Sequence, residues 1–446
     1  MSQEISQLLS LITSSAKAIE AEFIASDSPA VPSLNSTDTH PLDFKSLKSV
    51  RDQLRTLDAA CAQLRATLAP PIFTVFDRAQ TAICDRVSLE VALSCKIADL
   101  LRDKPEGVHI DELGKAAGVH PGKLGSILRY LATTHIFQEV KEGVFANNRL
   151  SIQLLEETPG SSIVQFRVSE ANRGACALLD TLLDPVRGPS YDAKDAAICK
   201  MRNWPKTWFD WHAETEEGAK VAQLFGRAMT GLGKAMSVQA AVTDYPWAQL
   251  VTGSTVCDIG SGVGTVALEL AKAHPGLKLI LQDMPSVLKY AENVYWPKEC
   301  PQALQEKRVE FKALDFFEES PVPGCDVYFM KSIMHDWNDE RCITILKNIR
   351  KVMRPDSKVL FNEYLLRPAI PHSMSSSAID IAPAPLLSNG GVGRSRLYGL
   401  DIVVLGLCNS RERFLREYAD IAEQAGLKLN GVWDAGDANT LEFVVA

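Results

Sequence analysis

Two acids and three glycines define the chemistry open to this chain. In the stretch Val256 to Thr265, Gly260, Gly262 and Gly264 alternate directly after a short β-branched run. That pattern predicts a strand turning sharply into a helix, with the backbone left open to a ligand. A dinucleotide loop would space its glycines G-x-G-x-x-G and face a pyrophosphate. Here the third glycine comes one residue early, and Asp258 stands two residues before the first. A carboxylate at that place suits a cationic ligand better than a phosphate. Asp283 ends the next apolar run, Leu279 to Gln282, where a carboxylate can accept both hydroxyls of a ribose. A ribose with a positive charge and no phosphate fits S-adenosyl-L-methionine.

These residues need a scaffold that brings loop ends together, and the chain from Ser254 onward supplies one. Strands are predicted at Val256 to Ile259, Leu277 to Gln282, Val309 to Leu314, Val327 to Lys331, Val359 to Tyr364 and Leu441 to Val445. Helices are predicted between them, at 264 to 274, 285 to 295, 339 to 353 and 411 to 426. Such alternation implies an α/β fold with a doubly wound, mainly parallel sheet, whose ligands bind beyond the carboxyl ends of the strands. Asp258, Asp283, Asp315, Lys331 to His335 and Glu363 all fall at or just past such ends. On pattern alone His335 is equally a turn residue before a helix capped by Asn338.

Four segments follow from the periodicity: a helical extension at 1–70, a winged-helix-like segment at 71–155, a helical connector at 156–250 and the α/β domain at 251–446. Ile5, Leu9, Ile12, Ala16, Ile19 and Phe23 recur at helical spacing. Leu47, Val50, Leu54, Leu57, Cys61, Leu64 and Leu68 form a narrow seam, suited either to the first helix or to a dimer partner. Helices at 109–119 and 121–134, then strand-like runs at 136–140 and 143–146, resemble a winged helix. Its third helix carries only Lys123 and Arg129, so no nucleic acid is expected as a partner. The connector, read as helices at 202–218 and 219–241, is aromatic, with Trp204, Trp208, Phe209, Trp211, Phe225 and Trp247. These side chains pack a core or, with Met201, Met229 and Met236, wall an apolar acceptor pocket.

The 446 residues hold 47 basic and 55 acidic side chains, a net charge of -8 that argues against nucleic acid or an anionic membrane. Ten cysteines without a C-x-x-C pair read as free thiols of a reducing compartment, so a cytoplasmic protein is expected, with no membrane span and no metal.

The motifs, taken in order, resemble the class I S-adenosylmethionine-dependent O-methyltransferases of the plant and fungal caffeic-acid type. The resemblance rests on Val256 to Gly264, Leu281 to Pro285, Leu314 to Phe317, Phe329 to Trp337, Asn362 to Tyr364 and Ser410 to Arg413. It implies that Gly260, Gly262 and Gly264 underlie the methionine part of the cofactor, Asp283 holds the ribose, Asp315 and Phe316 border the adenine, and Lys331 lines the pocket. It implies His335 as general base, oriented by Glu363 and Glu412, with methyl transfer to a hydroxyl or carboxyl oxygen of a small aromatic or polyketide-like acceptor, in a homodimer. Ser261, Ser332 and Phe414 depart from the commoner pattern. The Ser-, Pro- and Gly-rich insertion between Pro368 and Tyr398 reads as a lid or a surface loop. The same motifs suit a catalyst that binds the cofactor without transferring its methyl group.

Overall fold

The computed structural model describes residues 3–26, 28, 30–43, 47–233, 238–371 and 381–446. Met236 and Ser375 to Ser377 lie outside the described residues. The chain separates into two compact units, each assembled from segments distant in sequence. One comprises Met1–Asn172, Gln223–Ala235 and Pro368–Ser395; the other comprises Arg173–Ala222, Met236–Arg367 and Arg396–Ala446.

In the first unit, β1 (Val108–His109), β2 (Gln138–Lys141) and β3 (Val144–Ala146) form an antiparallel sheet in the order β1-β3-β2. The helices Ile110–Ala117 and Pro121–Thr133 complete the winged helix expected from the sequence. Local chemistry sets their ends: Gly118 closes the first at φ +67, and Pro121 opens the second after His120 caps Gly122 N. Leu113, Leu124, Leu128, Phe137 and Phe145 fill the core beneath.

The helices Gln3–Ala25 and Lys48–Leu68 also belong to this unit, and the face that joins them differs from the seam read in the sequence. Leu8 meets Ala59 and Ala60, with Leu64 at the margin, whereas Leu54, Cys61 and Leu68 stay exposed. The small alanines let the helices approach closely. Leu386 from the insertion joins the same cluster, and the turn Gly391–Arg394 follows it. A Cβ on Gly393 would collide with the carbonyl oxygen of Arg55. The described part of the insertion is therefore packed structure.

The second unit is built on β4 (Thr255–Ile259), β5 (Lys278–Asp283), β6 (Val309–Ala313), β7 (Val327–Lys331), β8 (Lys358–Glu363), β9 (Leu427–Ala435) and β10 (Ala438–Val445). They lie in the order β6-β5-β4-β7-β8-β10-β9. Neighbours from β6 to β8 run parallel, and the β10 hairpin partner β9 closes the edge after β10 pairs antiparallel with β8. The parallel strands read as apolar runs because both faces are covered. One face packs against Leu268, Leu288 and Trp296, and the other against Ile345, Leu346 and Tyr418. The strand β9 escapes sequence reading because Lys428, Asn430, Gly431 and Asp434 interrupt its apolar residues.

The connector breaks where the sequence suggested a continuous helix over 202–218. Thr207 and Asp210 form a reciprocal cap that starts Trp208–Glu214, and Thr215 is extended before Glu216–Leu232 begins. Trp208, Trp211 and Trp247 are buried as core residues. No helix among the described residues is long and apolar enough to cross a membrane.

Candidate active site

The glycine loop follows β4 as expected. Gly260, Gly262 and Gly264 have φ of +65, +57 and +81, a region that side chains rarely adopt. The space around them differs. Cβ atoms on Gly260 and Gly264 would run into Ile333 and Leu281, whereas nothing lies within 4 Å of one on Gly262. Packing already requires glycine at the first and third positions, and the second leaves an open cradle that fits a ligand on the backbone. Asp283, at the end of β5, accepts from Gly262 N at 2.8 Å and from Met284 N at 2.7 Å. A carboxylate offers about four lone-pair positions, so acceptor capacity remains for hydroxyl donors.

Asp258 is buried at the end of β4. Burial, then the neighbouring charge of Asp283, pushes its carboxyl up to about 7, with Lys331 opposing. Two acids that repel each other beside an open backbone favour a cation there. Lys331 ends the adjacent β7, between Asp258 on β4 and Glu363 on β8; burial lowers its pKa against both charges. Asp315 follows β6 and uses its carboxylate locally, accepting from Phe317 N at 3.0 Å. Phe316 reaches the glycine loop, its ring edge 3.8 Å from the Cβ position of Gly260. It also begins an aromatic series in which Phe317 and Trp337 meet edge to face at 4.7 Å, with Phe209 at 5.9 Å from Trp337.

His335 lies in the short turn Met334–Asp336 beyond β7, 7 % exposed. Its Nδ1 is 2.7 Å from Glu412 Oε1 and 4.0 Å from Glu363 Oε2. Glu363, wholly buried at the end of β8, accepts with its other oxygen from Ile333 N at 2.9 Å and Met334 N at 2.8 Å. Those two N–H groups point at it because Ser332 turns the chain at φ +53. The structure thus brings His335, Glu363 and Glu412 together from strand ends and a loop 77 residues apart. Their donor atoms lie within 4.8 Å of one another, close enough also to hold a cation.

Four groups to which sequence reasoning gave no role complete the cluster. Asp336 Oδ1 is 3.6 Å from His335 Nε2, and Cys408 Sγ lies 3.4 Å from the same oxygen. Asp401 accepts from Glu412 N at 2.8 Å. Arg413, fully buried, donates to Met334 O at 2.7 Å, Trp337 O at 2.6 Å and Asp339 Oδ1 at 2.8 Å, clamping the loop of Glu412 onto the turn of His335. Its place in the motif Ser410 to Arg413 was the only signal for it.

Burial by itself would push the His335 pKa down, but Glu412, Asp336 and Glu363 outweigh it and raise the imidazole to about 10. Glu363 is raised to about 7, chiefly by burial, with His335 opposing. The cluster holds a proton on the ring between carboxylates whose remaining oxygens, Glu363 Oε2 and Glu412 Oε2, have no hydrogen-bond partner. Such an arrangement stores and releases one proton at a fixed atom.

The fold and site define a Rossmann-like enzyme that carries an ionisable histidine beside a cation-favouring loop. A family model of the O-methyltransferase domain matches residues 204–428. The chain is 38% identical over 441 residues to 3-O-methyltransferase 2 of Phanerochaete chrysosporium, covering 98% of this chain and 97% of that one. The solved structure of the mitomycin 7-O-methyltransferase MmcR is similar at a TM-score of 0.66 and 26% identity, over 84% of this chain and 97% of that one. A pericyclic reaction enzyme shares the fold at a TM-score of 0.72 and 19% identity, over 97% of this chain and 99% of that one. The chain belongs to the O-methyltransferase family, and S-adenosyl-L-methionine is its methyl donor.

The open cradle at Gly262 separates binding from folding. Gly262→Ala meets no atoms and should cost only about 1–2 kcal/mol through its positive φ. The same change should weaken S-adenosylhomocysteine binding at least tenfold in calorimetry. Unaltered binding would remove the cradle from the cofactor site.

Proposed function

We propose that the enzyme moves the methyl group of S-adenosyl-L-methionine to a hydroxyl oxygen of a small aromatic or polyketide-like acceptor, with His335 as the general base. The observation that carries this reading is the fixed ring: Glu412 holds Nδ1 at 2.7 Å, while Nε2, 3.6 Å from Asp336, is too far for a hydrogen bond and is the ring atom left to exchange a proton with an acceptor once the site has shed one. Bound S-adenosyl-L-methionine supplies an electrophilic methyl carbon on a sulfonium. Asp258, Gly260, Gly262, Gly264, Asp283, Asp315, Phe316 and Lys331 are assigned to holding it.

A hydroxyl is a poor nucleophile until its proton leaves. A phenol titrates near 10, and the carboxylates lift His335 to about 10. Matched values make transfer of the proton from acceptor oxygen to Nε2 nearly level in energy. Glu363 and Glu412 then stabilise the imidazolium, as the third member of a catalytic triad does. The ring and the acceptor together must shed one proton before the reactive pair of phenolate and imidazolium forms. Activity therefore rises with pH across the neutral range.

We also propose a homodimer formed through the first unit. On the helix Pro71–Ser94, Ile72, Phe76 and Ile83 fall on one face, beside Phe73 and Val75, and each is more than half exposed. A contiguous patch of that kind on an acidic protein marks an interface. The same composition and the ten cysteines, none of them in a disulfide, support a cytoplasmic location without nucleic-acid partners.

His335→Ala should lower kcat by about 10²–10⁴-fold and leave S-adenosylhomocysteine affinity within about twofold; undiminished transfer would exclude His335 as base. Product appearing without stoichiometric S-adenosylhomocysteine would instead indicate a reaction that retains the cofactor. In the unaltered enzyme kcat/KM should climb tenfold per pH unit from 6.5 upward. Glu363→Gln removes an anion that favours the imidazolium, so the climb should begin and level off at lower pH. Phe73→Glu with Phe76→Glu should convert a dimer to a monomer in analytical ultracentrifugation; an unchanged sedimentation coefficient would exclude this face.

A further inference from the structure

The second unit contains a cavity of about 110 Å³ between the segment 178–197 and the helix Ser395–Cys408. Leu178 and Leu405 supply apolar wall, and Arg187, Ser190, Tyr191 and Asn409 supply the polar part. The guanidinium of Arg187 is poorly matched. Its Nη1 is buried without a hydrogen-bond partner, and its contact with Asp195 is 4.0 Å from Nε, well beyond a hydrogen-bonded pair. Asp195 is itself engaged by Ser190 Oγ at 2.7 Å. A buried guanidinium donor left open in this cavity costs free energy that a planar anion would relieve.

The cavity adjoins the catalytic turn. Asn409 donates to Ser190 O and Asp192 O, both at 2.9 Å, and Asn338 donates to Tyr191 O at 3.2 Å. Cys408, the neighbour of Asn409, touches Asp336 beside His335 Nε2. The wall of the cavity is thus joined to the surroundings of His335 through Asn409, the chain neighbour of Cys408, and through Tyr191, held by Asn338.

We propose that this cavity is an acceptor subsite in which Arg187 binds the carboxylate of a hydroxylated aromatic acid. The subsite selects acidic acceptors over their neutral esters. Leu178 and Leu405 face the ring, and the guanidinium fixes which edge of the acceptor is turned toward His335. Arg187 acts in binding and orientation, so its loss raises KM more than it lowers kcat. The inference rests on the methyl-transfer reading for its purpose, and its test is a binding measurement that stands apart from turnover.

The probes are 4-hydroxybenzoate and its methyl ester, titrated by calorimetry into the full-length protein saturated with S-adenosylhomocysteine. The acid should bind at least tenfold more tightly than the ester. Arg187→Met should abolish that preference, Arg187→Lys should keep part of it, and Leu405→Trp should weaken both probes by filling the cavity. Equal binding of acid and ester to the unaltered protein, or a preference that survives Arg187→Met, would overturn the subsite. A preference lost in Arg187→Met but unaffected by Leu405→Trp would place the anion elsewhere and overturn it equally. Failure of His335→Ala to slow methyl transfer would sink the base assignment and leave these binding results standing.

Discussion

Glu363 and Glu412 are buried, and Asp336 half-buried, around a single imidazole, and this surplus of negative charge is what the second unit is arranged to hold. Buried carboxylates are costly unless paired. Two backbone N–H groups from Ile333 and Met334 serve Glu363, the ring serves Glu412, and a protonated His335 balances part of the charge. Both raised pKa values tie stability to pH in the same direction, over successive ranges. The raised His335 pKa contributes stability that is complete below its ordinary value near 6.5 and is lost as pH rises toward about 10. Glu363 works against folding as pH rises from its ordinary 4.5 to about 7, because ionising it in a buried place is unfavourable. The same charge surplus that strains the site raises the proton affinity of His335 toward that of a phenolate.

Geometry follows from the order of strands. Placing β4, β7 and β8 side by side puts Asp258, Lys331 and Glu363 in a row at their carboxyl ends, so that Lys331 feels an acid on each side. The glycine-loop half and the histidine half of the site are therefore one electrostatic system. Arg413 holds the two loops of the second half in register, using a charged fork where a neutral side chain could satisfy only one of the carbonyls. Ser332 performs a comparable task through its backbone, since its left-handed turn aims two successive N–H groups at one carboxylate oxygen.

A pericyclic reaction enzyme shares this fold, so the fold alone does not fix the chemistry. What distinguishes methyl transfer is a base at the right place. The assignment of His335 thus depends on Glu412 and its support from Asp401, and not on the loop that defines the cofactor.

The glycines, Asp258 and Asp283 were legible in the sequence because strand, turn and helix are local, and a carboxylate's place in that pattern is fixed within a few residues. The strands β4 to β8 and the wing were legible for the same reason, since apolar runs and turn residues report short-range structure. The strand β9 was not, because its pairing with β10 is decided by a neighbour and its own residues alternate weakly. The seam from Leu47 to Leu68 is a true helical stripe, but which face packs on the first helix was set by the small Ala59 and Ala60 and by Leu386, more than 300 residues away. His335, Glu363 and Glu412 were named by resemblance, yet their contacts join three separate loops. Only tertiary structure brought in Asp336, Asp401, Cys408 and Arg187, because burial and charge at a site are properties of what the chain folds around it, and no spacing along the chain encodes them.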